Sequence, residues 1–354
     1  MPDKEVQQVL LFLLRSGLWA ELTAEQLAPL SAQQWASLYH YAQQHTIEGI
    51  VFDGLQLLPA GLMPPRALVL KWTVRVDQIE RHNKQMAACM KSQLDCFQAE
   101  GIHPLLLKGY GVASCYDIPE HRISGDVDWY FTQKQDYLKA NALIRKMGMD
   151  VKSVAGSSTV YGWQGIVVEH HRKMFDIHNP FNFRFLRKLQ QSISKDSIRL
   201  DLQGTALTLP APILMMLQVN VHILKHLLAF GIGLRQLCDS ARVYYSFQAE
   251  VNGQVLKHIY QRLGILKWIH LLHAVLVKYI GLPAASLPFP IPEGVNADWM
   301  MEEICRAGNF GFSDTNRDAV SQKISSNVRK YFKYAPMEAL SFPVLQFISK
   351  FAGK

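Results

Sequence analysis

Apolar positions recur at helical spacing through the first hundred residues. Leu10, Leu11, Leu14 and Leu18 share one face of a 3.6-residue repeat. Thr23-Ala-Glu-Gln26 and Ser31-Ala-Gln-Gln34 both read as capping boxes, a hydroxyl followed three residues on by an amide. The second precedes Trp35, Leu38 and Tyr41, so a helix is predicted there. Pro64-Pro65 interrupts the chain, and one long helical pattern then runs from Arg66 to Glu100. From Gly101 the pattern shortens. Ile102 to Leu107 predicts a buried strand, Gly109 to Tyr116 a short helix and Val127 to Phe131 a second strand. Lys134 to Met147 returns to helical spacing. Val151 to Val154, Thr159 to Trp163 and Ile166 to Glu169 read as successive strands between Gly/Ser turns, with Phe175-Asp-Ile177 as one more. After Pro180 the pattern is helical to the end. Breaks fall at Pro210-Ala-Pro212, Gly231-Ile-Gly233, Gly281-Leu-Pro283 and Pro288 to Pro292. The fold class expected is a helix-rich, mixed α+β protein: a helical segment at 1–100, a small sheet core at 101–180 and a helical domain at 181–354.

Composition narrows this picture. Of 354 residues, 49% are hydrophobic and 19% charged, which places the chain among folded globular proteins rather than disordered ones. The formal charge of +8 favours anionic partners, but no dense Lys/Arg run interleaved with aromatics marks a nucleic-acid surface. The basic stretch Arg317 to Lys333, with Lys323, Arg329, Lys330 and Lys333, reads as a solvated helix face. Cys89, Cys96, Cys115, Cys238 and Cys305 are scattered without Cys-x-x-Cys spacing, which argues against a disulfide framework or a zinc site. The start, with Asp3, Lys4 and Glu5, is unlike a signal peptide. The most apolar stretch, Ile213 to Leu234, carries Asn220, His222, Lys225 and His226, a polar load that predicts a buried helix pair rather than a membrane span. A cytoplasmic protein with no membrane partner is expected.

The candidate chemistry lies between Leu105 and Phe131. On a strand, residues two apart face the same side, so Asp126 and Asp128 present paired carboxylates while Val127 points to the core. Two such carboxylates repel unless a cation lies between them, and Mg²⁺ favours such oxygen ligands together with substrate phosphates. Upstream, Lys108-Gly109 stands at a predicted strand-to-helix turn, where glycine lets backbone N–H groups approach phosphate and the lysine adds charge. Arg122 offers a planar fork for phosphate. Gly125 immediately precedes the acidic pair and joins Lys108, Gly109 and Arg122 as a nucleotide-binding candidate. There is no Walker A motif, no Gly-x-Gly-x-x-Gly and no Gly-x-Ser-x-Gly, so P-loop, Rossmann and hydrolase chemistry have no local support.

The run Leu107-Lys-Gly, then Arg122-Ile-Ser-Gly-Asp-Val-Asp128, then Val168-Glu-His-His171 resembles the uncharacterised bacterial nucleotidyltransferase family related to DNA polymerase β. The resemblance is best over 101–180 and extends more weakly to the His, Leu-Arg and Asp positions between His222 and Arg242. It implies a polymerase-β-like sheet domain flanked by helices, with an acidic-x-acidic pair on one strand and a third carboxylate on a later one. Glu169 matches the family's Val-Glu-x-His position, and Asp176 is its rival. His171 reads as a packed or hydrogen-bonded histidine.

The activity implied is transfer of a nucleoside monophosphate from an NTP, ATP first among them, to an acceptor hydroxyl on a small molecule or a protein. Asp126 and Asp128, completed by Glu169 (or Asp176), would hold two Mg²⁺ ions about 3.5–4 Å apart. The alternatives are an inactive nucleotide- or RNA-binding protein on the same fold and a protein-adenylylating enzyme. His222 and His226, four apart on a predicted helix, lack a third zinc ligand in sequence and read instead as packing or substrate contacts with Arg235 and Asp239.

Overall fold

The computed structural model describes residues 3–22, 27–154, 158–193, 196–308 and 317–352. Three helices open the chain, α1 (Lys4–Trp19), α2 (Ala32–Gln44) and α3 (Glu48–Gln56). The start of α2 follows directly from its sequence. Ser31 Oγ accepts the Gln34 N–H at 3.2 Å and Gln34 Oε1 accepts the Ser31 N–H at 2.9 Å, satisfying two donors that a helix start would otherwise strand. The matching motif at Thr23–Gln26 lies outside the described residues. α1 and α3 cross at backbone contact. A Cβ on Gly17 would fall 1.9 Å from the Ile50 carbonyl oxygen, and one on Gly54 2.0 Å from that of Leu13, so only glycine fits at either crossing point. The long pattern after Pro65 is a single helix, α4 (Arg66–Ala99).

The sheet follows. Its elements are β1 (Leu105–Leu107), α5 (Gly109–Ala113), β2 (Asp126–Tyr130), α6 (Lys134–Lys146), β3 (Lys152–Val154), β4 (Ser158–Trp163) and β5 (Ile166–His171). The strand order is β1-β2-β5-β4-β3, with β2 and β5 parallel and the other neighbours antiparallel. α4 and α6 cover one face, where Trp129 and Val168 are fully buried. A continuous relay joins that face to both helices. Trp129 Nε1–H donates to Gln93 Oε1 and Gln93 Nε2–H donates to the Tyr161 hydroxyl oxygen. The Tyr161 hydroxyl then donates to His170 Nε2 at 2.8 Å, and His170 Nδ1–H to Asn141 Oδ1 at 2.8 Å.

Two expectations are corrected. Among the described residues Phe175-Asp-Ile177 pairs with no strand; Phe175 and Ile177 are buried and Asp176 is half-buried, so their alternation marks a packed loop rather than a strand. The chain beyond Pro180 is not wholly helical either. After α7 (Phe183–Ile193) comes a hairpin, β6 (Ile198–Leu202) and β7 (Thr205–Leu209). Its two-residue turn places Gln203 and Gly204 at φ 52° and 85°, the positive-φ pair of a type I′ connection.

The remaining helices are α8 (Pro212–Ala229), α9 (Leu234–Ser246), α10 (Gly253–Leu263), α11 (Leu266–Val275), α12 (Asp298–Ala307), α13 (Arg317–Tyr331) and α14 (Pro336–Ala352). Among the described residues α8 alone is long and apolar enough to cross a bilayer, with a mean hydropathy of 1.3, and 72% of it is buried within the protein. Arg329, Lys330 and Lys333 are exposed, with Lys330 paired to Glu303 at 2.9 Å. The three sequence segments share one contiguous apolar core running from Val6 to Phe342.

Candidate active site

Strand register builds the site. Asp128 lies directly opposite Glu169 on the parallel neighbour, and Asp126 opposite Val167. Alternation then puts Asp126, Asp128, Glu169 and His171 on one face, away from the buried Val127, Trp129 and His170. His171 Nε2–H donates to Asp128 Oδ1 at 2.6 Å and lies 3.4 Å from Glu169 Oε2. One ligand atom each from Asp128, Glu169 and His171 falls within 4.8 Å of the others. Asp126 stands beside this trio, and its carboxylate has no hydrogen bond or ion pair among the described residues.

Lys108 reaches the cluster from the β1–α5 turn. Its backbone is at φ 46°, ψ −145°, a region costly for any residue with a Cβ and held only where the surroundings fix it. Gly109 follows at φ 38°, and a Cβ there would sit 3.3 Å from the Asp126 carbonyl oxygen. The turn thereby presses against the start of β2 and delivers Lys108 Nζ to 3.1 Å from Asp128 Oδ1. α5 has only five residues, too short for much of a macrodipole, so the turn contributes position and the lysine contributes charge. Gly125 is exposed with open space around it.

The charges divide sharply. The neighbouring Asp128 charge, then burial, push the Asp126 carboxyl up to about 6. Burial also works against the Asp128 carboxylate, but the Lys108 charge and the His171 hydrogen bond outweigh it and hold Asp128 well below the usual range. Three carboxylates on one face, one of them unpartnered, make this face a candidate cation site.

Arg122 takes a different place from the one expected. It is buried and forms a two-pronged pair with Asp239, Nε to Oδ1 at 2.8 Å and Nη2 to Oδ2 at 2.7 Å. Its Nη1 donates to Ser124 Oγ and the Ile123 carbonyl, and the Tyr116 hydroxyl donates to the same Asp239 at 2.7 Å. With its fork closed, Arg122 holds the loop leading into β2 rather than presenting a free cation. Arg235, one turn before Asp239 on α9, donates Nη1–H to the Ile123 carbonyl.

Asp176 is likewise committed. His222 Nδ1–H donates to Asp176 Oδ2 at 2.7 Å and Lys225 Nζ to Oδ1 at 2.9 Å. Burial alone would raise this carboxyl, but the His222 hydrogen bond and the Lys225 and Lys108 charges hold it well below the usual range. The His222 and His226 rings touch at 4.4 Å. Sequence reasoning grouped these histidines with Arg235 and Asp239; the structure separates them into an α8 cluster around Asp176 and an α9 cluster around Arg122.

A family model described as an uncharacterised nucleotidyltransferase matches residues 31–281. The chain belongs to that family. Comparison with curated proteins and with solved structures found no match. For this member of the uncharacterised nucleotidyltransferases the matched span contains β2, β5, Lys108, α8 and α9, the whole of the candidate site. A nucleotidyltransferase needs a charge sink for phosphates, and the donor set here suits a divalent cation. His171 is the member that sequence reasoning set aside. The available signal was its even spacing from Glu169, which returns it to the same strand face.

Proposed function

We propose that the protein transfers a nucleoside monophosphate from an NTP, ATP first among them, to an acceptor hydroxyl, with polymerase-β-type chemistry. The reading rests on one observation above all. Asp128 and Glu169 face each other across parallel strands, with Asp126 two residues away and unpartnered. Such crowding of like charges is costly in the protein alone and is relieved by cations.

The acceptor oxygen forms a bond to the α-phosphorus, the bond to the β-phosphate oxygen breaks, and pyrophosphate leaves with the electron pair. Glu169, 30% exposed against 2% for Asp128, takes the acceptor proton. Asp126, Asp128 and Glu169 would hold Mg²⁺, which draws charge from the transferring and departing phosphates when bound. Lys108 neutralises the Asp128 side of the cluster. His171 positions Asp128 by donating to it. Arg122, clamped by Asp239 and Ser124, fixes the approach to β2 so that both aspartates keep their register.

The test is release of pyrophosphate from each of the four NTPs, with and without Mg²⁺, in the presence of a pooled panel of hydroxyl compounds and proteins. Mg²⁺-dependent release above background with one acceptor fraction is expected. Mg²⁺-independent release, or ATP binding unaffected by the metal, would remove the mechanism.

A further inference from the structure

A polyphosphate needs more positive charge than Lys108 supplies, and the arginine nearest to the acidic strand in sequence is already occupied. The other arginine at the site is only partly engaged. Arg235 is half-buried on α9. Its Nη1 is engaged by the Ile123 carbonyl, while its Nε is buried without a hydrogen-bond partner. Among the described residues no carboxylate lies within ion-pair distance of its guanidinium. Asp239, on the same helix, has both oxygens committed to Arg122 and one also to Tyr116.

This arrangement is unfavourable in the protein alone. A buried N–H without an acceptor forfeits its hydration, and a second guanidinium lies near enough for its charge to be felt. Burial, then the Arg122 charge, lower the pKa of Arg235. An anion reverses both costs, because a planar fork takes two phosphate oxygens at once. The location suits the donor nucleotide. Arg235 bonds the backbone three residues before Asp126, and its charge acts on the Asp126 carboxylate. A phosphate chain running from the acidic cluster toward α9 would meet it.

We infer that Arg235 binds the polyphosphate of the donor nucleotide, the part that departs as pyrophosphate. The donor's identity rests on the nucleotidyl-transfer reading above; the anion site itself rests on a guanidinium with no carboxylate partner and a buried Nε without an acceptor.

The experiment is calorimetric titration of the full chain with inorganic tripolyphosphate, ATP and AMP, each with Mg²⁺. Wild type is compared with Arg235→Gln, which keeps an amide donor for the Ile123 carbonyl, and Arg235→Lys, which keeps the charge but loses the fork. Arg235→Gln is expected to weaken tripolyphosphate and ATP about tenfold or more, with Arg235→Lys in between and AMP unaffected. Its melting temperature should match or exceed wild type, since a like-charge neighbour is gone; a merely structural arginine would lower it. Equal tripolyphosphate affinity in wild type and Arg235→Gln, or no tripolyphosphate binding by wild type, overturns the inference. Arg235-dependent tripolyphosphate binding without any ATP binding supports the anion site and overturns the nucleotidyl-transfer reading instead.

Discussion

The two faces of the five-stranded sheet treat their polar side chains in opposite ways. On the face under α4 and α6, Trp129, Gln93, Tyr161, His170 and Asn141 form a relay in which each donor has an acceptor. Burial, then the nearby His171, push His170 down to about 3, so it stays neutral and its two nitrogens take fixed roles. On the other face, Asp126, Asp128 and Glu169 crowd together, with Lys108 paired to Asp128 and no hydrogen-bond or ion-pair partner for Asp126 among the described residues. A satisfied buried network contributes stability and a single packing solution. An unsatisfied charged cluster lowers stability until a ligand completes it. The same two strands supply both, because alternation sends neighbouring residues to opposite sides.

The comparison sharpens most under substitution of the buried face. Trp129→Ala should lower unfolding free energy by about 3–5 kcal/mol through the cavity and the stranded Gln93. Below the melting transition, Mg²⁺-dependent ATP binding should be retained. Loss of binding in the folded variant would show that the faces are not separable.

Asp126→Asn should do the reverse. With its carboxyl raised to about 6, the ionised side chain destabilises the folded state at pH 7. Removing the charge should raise chemical-denaturation stability in EDTA, while metal-dependent nucleotide binding disappears. A destabilised Asp126→Asn would place this residue with the structural set.

Acid titration separates the faces by sign. Below about 6.5 the unfolded chain protonates the histidine at 170, which the folded state resists until about 3. Stability present at neutral pH is then lost at about 1.4 kcal/mol per unit as pH falls through that window. His45 and His273, pushed down by burial to about 4 and about 3, add losses of the same sign. Asp126 acts oppositely, since the folded state takes up its proton first and gains stability as pH falls from about 6 toward about 4. Stability measured against pH should therefore fall more steeply in Asp126→Asn than in wild type. Parallel curves would remove the Asp126 contribution.

Short-range pattern made much of this legible. The even spacing of Asp126 and Asp128 and the apolar residues Trp129 to Phe131 locate β2 and its paired carboxylates. The hairpin β4–β5 and the hairpin β6–β7 turn on the same dipeptide, Gln164-Gly165 and Gln203-Gly204, each with both residues at positive φ. The first was legible because Ile166 to Val168 forms an unbroken apolar run. The second was missed although Ile198, Leu200 and Leu202 alternate, because Gln-Gly is a weaker turn signal than Asn-Gly. Phe175–Ile177 failed in the other direction: alternating burial also arises in a packed loop that has no partner strand. The fate of Arg122 was beyond sequence, since its partner Asp239 lies 117 residues away. Arg235 was legible as a candidate substrate contact, but grouped with His222 and His226 rather than with Arg122. Its lack of a carboxylate is a property of packing.

The central claim is that the acidic face of the sheet holds a divalent cation for nucleotide chemistry. The direct measurement is titration of the metal-free protein with Mn²⁺ in the presence of ATP, for wild type and Asp128→Asn. Saturable Mn²⁺ and ATP binding in wild type, lost by orders of magnitude in a folded Asp128→Asn, is the result expected. Equal binding by both proteins, or none by wild type, would contradict it.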